Sequence, residues 1–139
     1  MSVVEINGIK TNYEVKGDGP PLLMYSPGGF DASMDKWTNL GVYKKIKLLD
    51  HLPEKYTCII FDRRETGLSG GKVERISWDH YVAQGKGLLE HLGHEEAAKS
   101  ITDAIETALS QIDLRTADLA GTASTITCGK GIADIIKEN

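Results

Sequence analysis

The chain has 139 residues, 40% of them hydrophobic and 26% charged, with a formal net charge of −4. Such values are typical of one globular domain, and scattered basic residues argue against a nucleic-acid-binding face. No apolar run approaches the length that would span a bilayer. Two cysteines are too few for a disulfide framework, and an acid at Glu5 is unlike a signal peptide. We therefore expect a cytoplasmic protein with no nucleic-acid or membrane partner.

Three short strands are predicted near the start of the chain. Two strand-like runs, residues 2–6 and 9–15, are joined by Asn7-Gly8, a strong hairpin signal. The turn-rich residues 15–21 then lead into a third, apolar run over residues 22–25. That run ends in Ser-Pro-Gly-Gly, which a strand cannot absorb. The sequence therefore predicts a hairpin and then a separate strand.

A helical pattern over residues 34–52 is expected to break once, at Gly41, and to end at Pro53. Residues 56–61 follow as a β-branched, aromatic run, typical of a buried parallel strand. Ser77 is a candidate N-cap of a second long helix, which Gly93 should terminate. The pattern of strand, helix, strand and helix indicates an α/β fold.

The loop after the buried strand, Asp-Arg-Arg-Glu-Thr-Gly-Leu-Ser from residue 62 to 69, resembles a loop of α/β hydrolases. The usual form is Asp-x-Arg-Gly-x-Gly-x-Ser, and Glu65 replaces its first glycine. Further motifs in family order are Asn-Gly-Ile at residues 7–9, Pro-Gly-Gly-Phe at 27–30, and the helix pattern at 81–93. The resemblance covers about residues 1–96. It implies a truncated α/β-hydrolase-like sheet flanked by helices, because the intact sheet needs about twice this length.

After Gly93 the family would place a strand and a nucleophile elbow, but residues 94–112 carry an amphipathic helical stripe instead. The block Arg-Thr-Ala-Asp-Leu-Ala-Gly-Thr at residues 115–122 resembles the C-terminal tail of the isocitrate/isopropylmalate/tartrate dehydrogenase family. This second resemblance covers about residues 97–137 and implies a closing helix over residues 130–137. We therefore predict a fusion near residues 96–99, with a hydrolase-like part (1–96) and a dehydrogenase-tail-like part (97–139) packed into one domain. The tail resemblance brings no substrate, metal or nucleotide residue, so no cofactor is expected.

The hydrolase resemblance implies that Gly28, Gly29 and Phe30 hold the first half of an oxyanion hole. The second half would belong to the residue after the nucleophile, which the pattern lacks. The alternative for these three residues is a sharp strand exit that requires glycine. Ser69 is a candidate nucleophile by its position near the cleft, although the matching family serine is structural.

Cys128 is the other candidate nucleophile. Residues 123–127 are β-branched enough for a strand, and Gly-Lys-Gly leads into a helix, so the arrangement could imitate the missing elbow. The dehydrogenase-tail resemblance explains the same residues without chemistry. His91 and His94 have the spacing of a metal pair, but a third ligand is not evident, so no metal site is expected.

Without a fifth strand, residues Leu22, Leu23, Met24 and Tyr25 would form an exposed apolar edge. The edge could pair with residues 123–127, pair or swap with a second copy, or be covered by the C-terminal helices. We predict a homodimer through this edge. The expected function is a catalytically incomplete, hydrolase-derived fusion with a structural or binding role at most. Two alternatives are an esterase-like hydrolase with a rebuilt site and a module related to β-decarboxylating dehydrogenases.

Overall fold

The computed structural model describes residues 1–71 and 77–138. The chain divides into two compact units, Met1–Leu92 and Gly93–Asn139. The first unit holds a mixed sheet with helices, and the second is helical. None of the described helices has the length and apolar character needed to cross a membrane.

A four-stranded sheet with strand order β1-β2-β4-β3 forms the centre of the first unit. Its strands are β1 (Ser2–Ile6), β2 (Ile9–Lys16), β3 (Pro21–Tyr25) and β4 (Thr57–Phe61). The pairs β1–β2 and β2–β4 are antiparallel, and β3 runs parallel to β4. The predicted hairpin is confirmed, since Asn7 and Gly8 turn with φ of 50° and 75°, the left-handed conformation that this dipeptide favours.

The segment between β3 and β4 is more broken than its hydrophobic pattern indicated. It forms α1 (Lys36–Asn39), α2 (Gly41–Ile46) and α3 (Leu48–His51), then a 3-10 turn over Leu52–Glu54. A break at Gly41 was expected, but the prediction of two pieces is wrong because Lys47 adds a second break with φ of 49°. Pro53 lies inside the closing 3-10 turn. The physical reason for the extra break is a left-handed residue that no hydrophobic pattern reveals.

Helix α4 (Trp78–His91) follows the buried strand, as predicted. The Ser77 hydroxyl accepts a hydrogen bond from the backbone N–H of His80, which confirms the expected N-cap. Leu92 ends the helix, and Gly93 follows with φ of 80°. Helix α4 packs against the sheet closely enough that a Cβ at Gly85 would lie 2.1 Å from the Tyr25 hydroxyl.

The sheet is buried on both faces at β4, whose residues 58–61 are all buried, as the apolar run predicted. One face packs into a cluster with the short helices, formed by Met24, Met34, Trp37, Cys58 and Ile60. On the α4 side, Leu88 and Leu89 are buried. Each such aliphatic or aromatic side chain stabilises the fold by about 1.5–3 kcal/mol relative to an exposed one.

The second unit consists of α5 (Glu95–Ser110) and α6 (Thr125–Glu138), joined by 3-10 turns at Ile112–Leu114 and Ala117–Leu119. Ala98, Ala104 and Ala108 are the buried residues of α5. The predicted stripe is confirmed at Ala104 and Ala108, but it is wrong at its end, because α5 stops at Ser110 and Ile112 is 62% exposed in the 3-10 turn that follows. Arg115 closes the end of that helix, because its guanidinium donates hydrogen bonds to the carbonyl oxygens of Leu109 and Ser110.

Residues 123–127 do not form the strand that a Cys128 elbow would require. Helix α6 begins at Thr125 instead of near residue 130, and only Ala123 makes an isolated bridge, with Thr116. The Ser124 hydroxyl accepts a hydrogen bond from the N–H of Thr127 at 3.0 Å. This N-cap outweighs the β-propensity of the three residues that follow Ser124. Among the described residues no strand pairs with the outer edge of β3.

Candidate functional site

The site is organised by Asp62, the first residue after β4, which is 3% exposed. One carboxylate oxygen, Oδ1, accepts a hydrogen bond from the backbone N–H of Met34 at 2.6 Å. The other, Oδ2, accepts hydrogen bonds from Asn12 Nδ2 and from the N–H of Leu68, both at 2.8 Å. A buried carboxylate is stable only when its lone pairs are satisfied. Asp62 thereby ties β2, the segment before α1 and its own loop together.

Ser69 lies at the far end of the same loop and is buried. Its hydroxyl accepts a hydrogen bond from the backbone N–H of Asn12 at 2.9 Å and donates one to the carbonyl oxygen of Asp62 at 2.8 Å. Both bonds go to backbone groups, so the hydroxyl holds the loop against β2. The sequence makes Ser69 a candidate nucleophile, but the structure places its hydroxyl against the sheet.

Gln84 connects helix α4 to this loop. Its buried Nε2 donates to the hydroxyl of Thr11 at 3.1 Å and to the carbonyl oxygen of Asp62 at 3.2 Å. Its Oε1 accepts a hydrogen bond from the backbone N–H of Arg64 at 2.9 Å. A buried side-chain amide satisfied on both ends gives the loop one defined position relative to the helix.

A short loop follows β3, the strand next to β4 in the sheet. It contains Gly28, Gly29 and Phe30, and we call it the 28–30 loop. Gly28 has φ of 126°, and a Cβ there would lie 2.2 Å from the carbonyl oxygen of Asp31. The loop therefore needs glycine at this position, as the strand-exit interpretation expected. Among the described residues, the backbone N–H groups of Gly29 and Phe30 donate no hydrogen bond. The Phe30 side chain is 92% exposed. The loop thus presents two unbonded amides beside an exposed ring.

Arg63 contacts the 28–30 loop from the loop that follows β4. Its guanidinium donates a hydrogen bond to the carbonyl oxygen of Gly29 and lies 5.0 Å from the centre of the Tyr81 ring. The backbone N–H of Arg63 donates to the carbonyl oxygen of Ala32 at 3.2 Å, which anchors the residue beside the loop. A guanidinium over an aromatic face is held by cation–π attraction.

A cavity of about 250 Å³ opens here, which we call the Arg63 cavity. The residues that line it are Gly29, Phe30, Arg63, Arg64, Glu65, Thr66 and Tyr81. Sequence reasoning named Arg63 and Tyr81 only as motif positions and missed that they meet. Their contact could have been expected from their positions, because Arg63 follows the end of β4 and Tyr81 lies near the start of α4. The carboxyl ends of strands and the starts of the following helices lie at the same edge of such a sheet.

The remaining candidates lie elsewhere. Cys128 is a half-buried free thiol inside helix α6 of the second unit, and not at a strand-to-helix turn. His91 Nε2 lies 3.4 Å from the hydroxyl of Tyr13, and His94 precedes α5. The described residues contain no group of three or more His, Cys, Asp or Glu side chains that could hold a metal ion.

Comparison with solved structures decides the fold. An enol-lactonase from Burkholderia xenovorans LB400 aligns with 66% of this chain and 33% of its own, at 17% identity and a TM-score of 0.55. An E-2-(acetamidomethylene)succinate hydrolase aligns with 76% of this chain and 39% of its own, at 23% identity and a TM-score of 0.55. The sheet and its helices form part of an α/β-hydrolase fold. An N-formylmaleamic acid deformylase from Pseudomonas putida S16 gives a TM-score of 0.51 at 23% identity, with 65% of this chain and 32% of its own covered.

The chain spans between about a third and two fifths of the length of these neighbours. No protein-family model and no curated protein matches it. At these identities the likeness establishes the fold alone. The resemblance of residues 97–137 to a dehydrogenase tail stays a prediction.

Proposed function

We propose that this chain is a catalytically incomplete α/β-hydrolase-like module that binds a small monocarboxylate in the Arg63 cavity without turning it over. The observation that carries the proposal is that, within the part of the chain that the structure describes, the amides of Gly29 and Phe30 donate no hydrogen bond, while the Arg63 guanidinium contacts the same loop at the carbonyl oxygen of Gly29. Ser69, the serine of the adjacent loop, has its hydroxyl bonded to backbone groups at both sides. The hydroxyl of Thr66, which lines the cavity, is likewise bonded to the carbonyl oxygens of Ala32 and Arg63. The site therefore offers donors for an anion, and the Ser69 and Thr66 hydroxyls support the loop.

The ligand class follows from the chemistry of the cavity lining. Backbone N–H groups and a guanidinium are the donors that recognise carboxylates. The rings of Phe30 and Tyr81 supply apolar surface for the rest of the ligand. Glu65 also lines the cavity, and its negative charge disfavours a second carboxylate on the same molecule. These features together favour a small aromatic or aliphatic monocarboxylate.

Two of the structural neighbours support a carboxylate class by their names. One is a deformylase of N-formylmaleamic acid, and another is a hydrolase of a substituted succinate. Both names contain carboxylic acids, and the succinate carries two carboxylates, so the names agree with the carboxylate class while the restriction to one carboxylate rests on the lining of the Arg63 cavity alone. Their relevance here is the shared sheet edge where β3 and β4 end.

Calorimetric titration of the full chain with benzoate, and with the neutral ester methyl benzoate, tests the proposal. We expect benzoate to bind with a Kd of about 1 mM and methyl benzoate to bind at least tenfold more weakly. Arg63→Gln should weaken benzoate binding by about tenfold or more. Lys45→Gln, at an exposed position of α2, removes the same charge away from the cavity and should leave the Kd unchanged. Equal binding of acid and ester, or no effect of Arg63→Gln, would disprove the carboxylate site.

The alternative of an esterase-like hydrolase with a rebuilt site is tested by incubating the chain with a panel of short esters and with serine- and cysteine-directed probes. We expect no turnover and no probe labelling that depends on Ser69. Turnover that vanishes in Ser69→Ala or Cys128→Ala would replace the binding proposal with a hydrolase. The dehydrogenase alternative has less support, because the matching motif covers only the tail of that family.

We also propose that the two units have separate origins, joined near residues 96–99. The division of the chain at Gly93 and the Arg-Thr-Ala-Asp-Leu-Ala-Gly-Thr block at residues 115–122 support this proposal. Limited proteolysis of the full chain should cut first near Gly93, where the two units meet in the sequence, and leave two fragments. A first cut inside β4, or inside α5 beyond residue 99, would argue against it. A reducing, cytoplasmic setting is part of the same proposal, and it is supported by two free cysteines.

A further inference from the structure

The pairing of β3 with β4 shows which residues of β3 turn their backbone N–H and C=O groups towards the outer edge of the sheet. Pro21 lies opposite Thr57 in the parallel register, and the N–H of Thr57 donates to the carbonyl oxygen of Pro20 at 2.9 Å. In a parallel ladder, alternate residues turn both backbone polar groups to one neighbour. Leu22 and Met24 therefore bond to β4, and the polar groups of Pro21, Leu23 and Tyr25 point to the open edge. Among the described residues no strand occupies that edge.

The side chains of β3 are held from both faces of the sheet, so the edge is presented in a defined shape. Met24 is buried in the cluster with Trp37, and Leu22 packs against that cluster. On the opposite face, the Tyr25 hydroxyl donates to the carbonyl oxygen of Tyr81 at 3.0 Å, and its ring meets Phe61 edge-on with centres 5.0 Å apart. An edge strand whose side chains are held from both faces and whose outer backbone groups are unpaired among the described residues is a template for another strand.

The two edges of the sheet differ in charge. The other edge strand, β1, carries Glu5, and charge on an edge strand opposes pairing with a further chain. Strand β3, Pro-Leu-Leu-Met-Tyr, carries no charged side chain. Burial raises the pKa of Tyr25 to about 12, so this residue also stays neutral at physiological pH. Antiparallel self-pairing of β3 thus places no like charges opposite each other.

We propose that two copies of this chain pair antiparallel through β3, with Leu23 opposite Leu23 of the partner subunit on a two-fold axis. Leu23 turns both its N–H and its carbonyl outward. The two copies of Leu23 can therefore exchange two backbone hydrogen bonds across the axis. Tyr25 donates its N–H to the carbonyl oxygen of the partner's Pro21, which has no N–H to return. The contact is closed and self-complementary, as a two-fold interface requires. The contact joins the four-stranded sheets of the two copies into one continuous sheet. This proposal does not depend on ligand binding in the Arg63 cavity.

A five-residue strand pair buries less than the roughly 1,200 Å² of a standard stable interface, so the dimer should be weak. Sedimentation of the full chain between about 1 and 300 μM should show the mass rising from one chain towards two. Leu23→Lys places two like charges together on the axis and should keep the chain monomeric throughout that range. Val3→Lys puts the same charge on β1, where Val3 is 54% exposed, and should leave the dimer unchanged.

Amide exchange of the unmodified protein keeps the test decisive if Leu23→Lys fails to fold. Exchange of the Leu23 and Tyr25 amides should slow by about tenfold or more between dilute and concentrated protein. The Leu22 and Met24 amides, which bond to β4, should be protected equally at both concentrations. A monomer across the whole range, concentration-independent exchange at Leu23, or a dimer that survives in folded Leu23→Lys would overturn the proposal. Protection at Leu23 that appears only when a strand from another protein is added would also overturn it.

Discussion

The backbone of Gly67 lies directly against the carboxylate of Asp62: a Cβ built on the glycine would be 2.3 Å from Oδ2. Gly67 has φ of 57°, so the loop needs glycine for its conformation as well as for the space. This approach brings the N–H of Leu68 within 2.8 Å of the same oxygen. The conformation of the 62–69 loop therefore depends on how these two residues fit together.

Gly67→Ala should destabilise the first unit by about 3 kcal/mol, since it adds left-handed strain to the loss of Asp62 hydrogen bonds. Gly29→Ala is the matched control, because Gly29 has a similar φ of 63° but open space around the position of its Cβ. That control should cost only about 1 kcal/mol. Urea unfolding followed by tryptophan fluorescence measures both. Equal losses in the two variants would show that the approach to Asp62 contributes nothing.

Asp62→Asn should lower the free energy of unfolding by about 2–4 kcal/mol. An amide has one acceptor oxygen where the carboxylate has two, so at least one of the donors from Asn12, Met34 and Leu68 loses its partner while buried. Asp31→Asn is the control: this exposed carboxylate pairs with Lys36 at 2.7 Å, and such pairs contribute at most about 1 kcal/mol. Chemical denaturation would show the difference, and equal midpoints for the two variants would contradict the role of Asp62.

Stability should fall at high pH because of Tyr25. Burial of its hydroxyl end under α4 raises the pKa to about 12 from an ordinary value of 10.0. A group with a raised folded-state pKa stabilises fully below its unfolded pKa, and this contribution is lost as the pH rises from about 10 to 12. Tyr25→Phe should be less stable near neutral pH, because the hydrogen bond to Tyr81 is lost, and should show a shallower decline at alkaline pH. Thermal melts of both proteins between about pH 10 and 12 test this prediction. An equally steep fall in melting temperature for the two proteins would refute it.

The two cysteines should react at different rates with a thiol reagent. Cys58 is fully buried in β4, and burial raises its pKa, which further lowers the reactive thiolate fraction. Cys128 is only partly buried. Native protein should therefore release about one thiol equivalent quickly and the second only on unfolding. Cys128→Ser should abolish the fast phase. A fast phase that persists in that variant would place Cys58 at the surface.

The local elements of the first unit were predictable because neighbouring residues determine them. The Asn7-Gly8 turn, the buried run before Asp62 and the Ser77 cap each follow from propensity, hydrogen bonding or periodicity over a few positions. The α/β-hydrolase-like fold was likewise predicted from ordered motifs and is confirmed by the solved neighbours. The strand considered over residues 123–127 does not form, because the Ser124 hydroxyl caps the first turn of α6 and this cap outweighs the β-propensity of the residues that follow.

The sequence alone determined which segments could form strands and helices, and that an acid, a glycine and a serine would share the loop after β4. Only the tertiary structure decided that Arg63 meets Tyr81 beside the 28–30 loop, that Ser69 is bonded to the backbone, and that Leu23 turns its polar groups to an open edge. These relationships join residues far apart in the chain, and their geometry is set by strand order and register. Local propensity acts over a few residues, so it cannot specify which distant groups a fold brings within hydrogen-bonding distance.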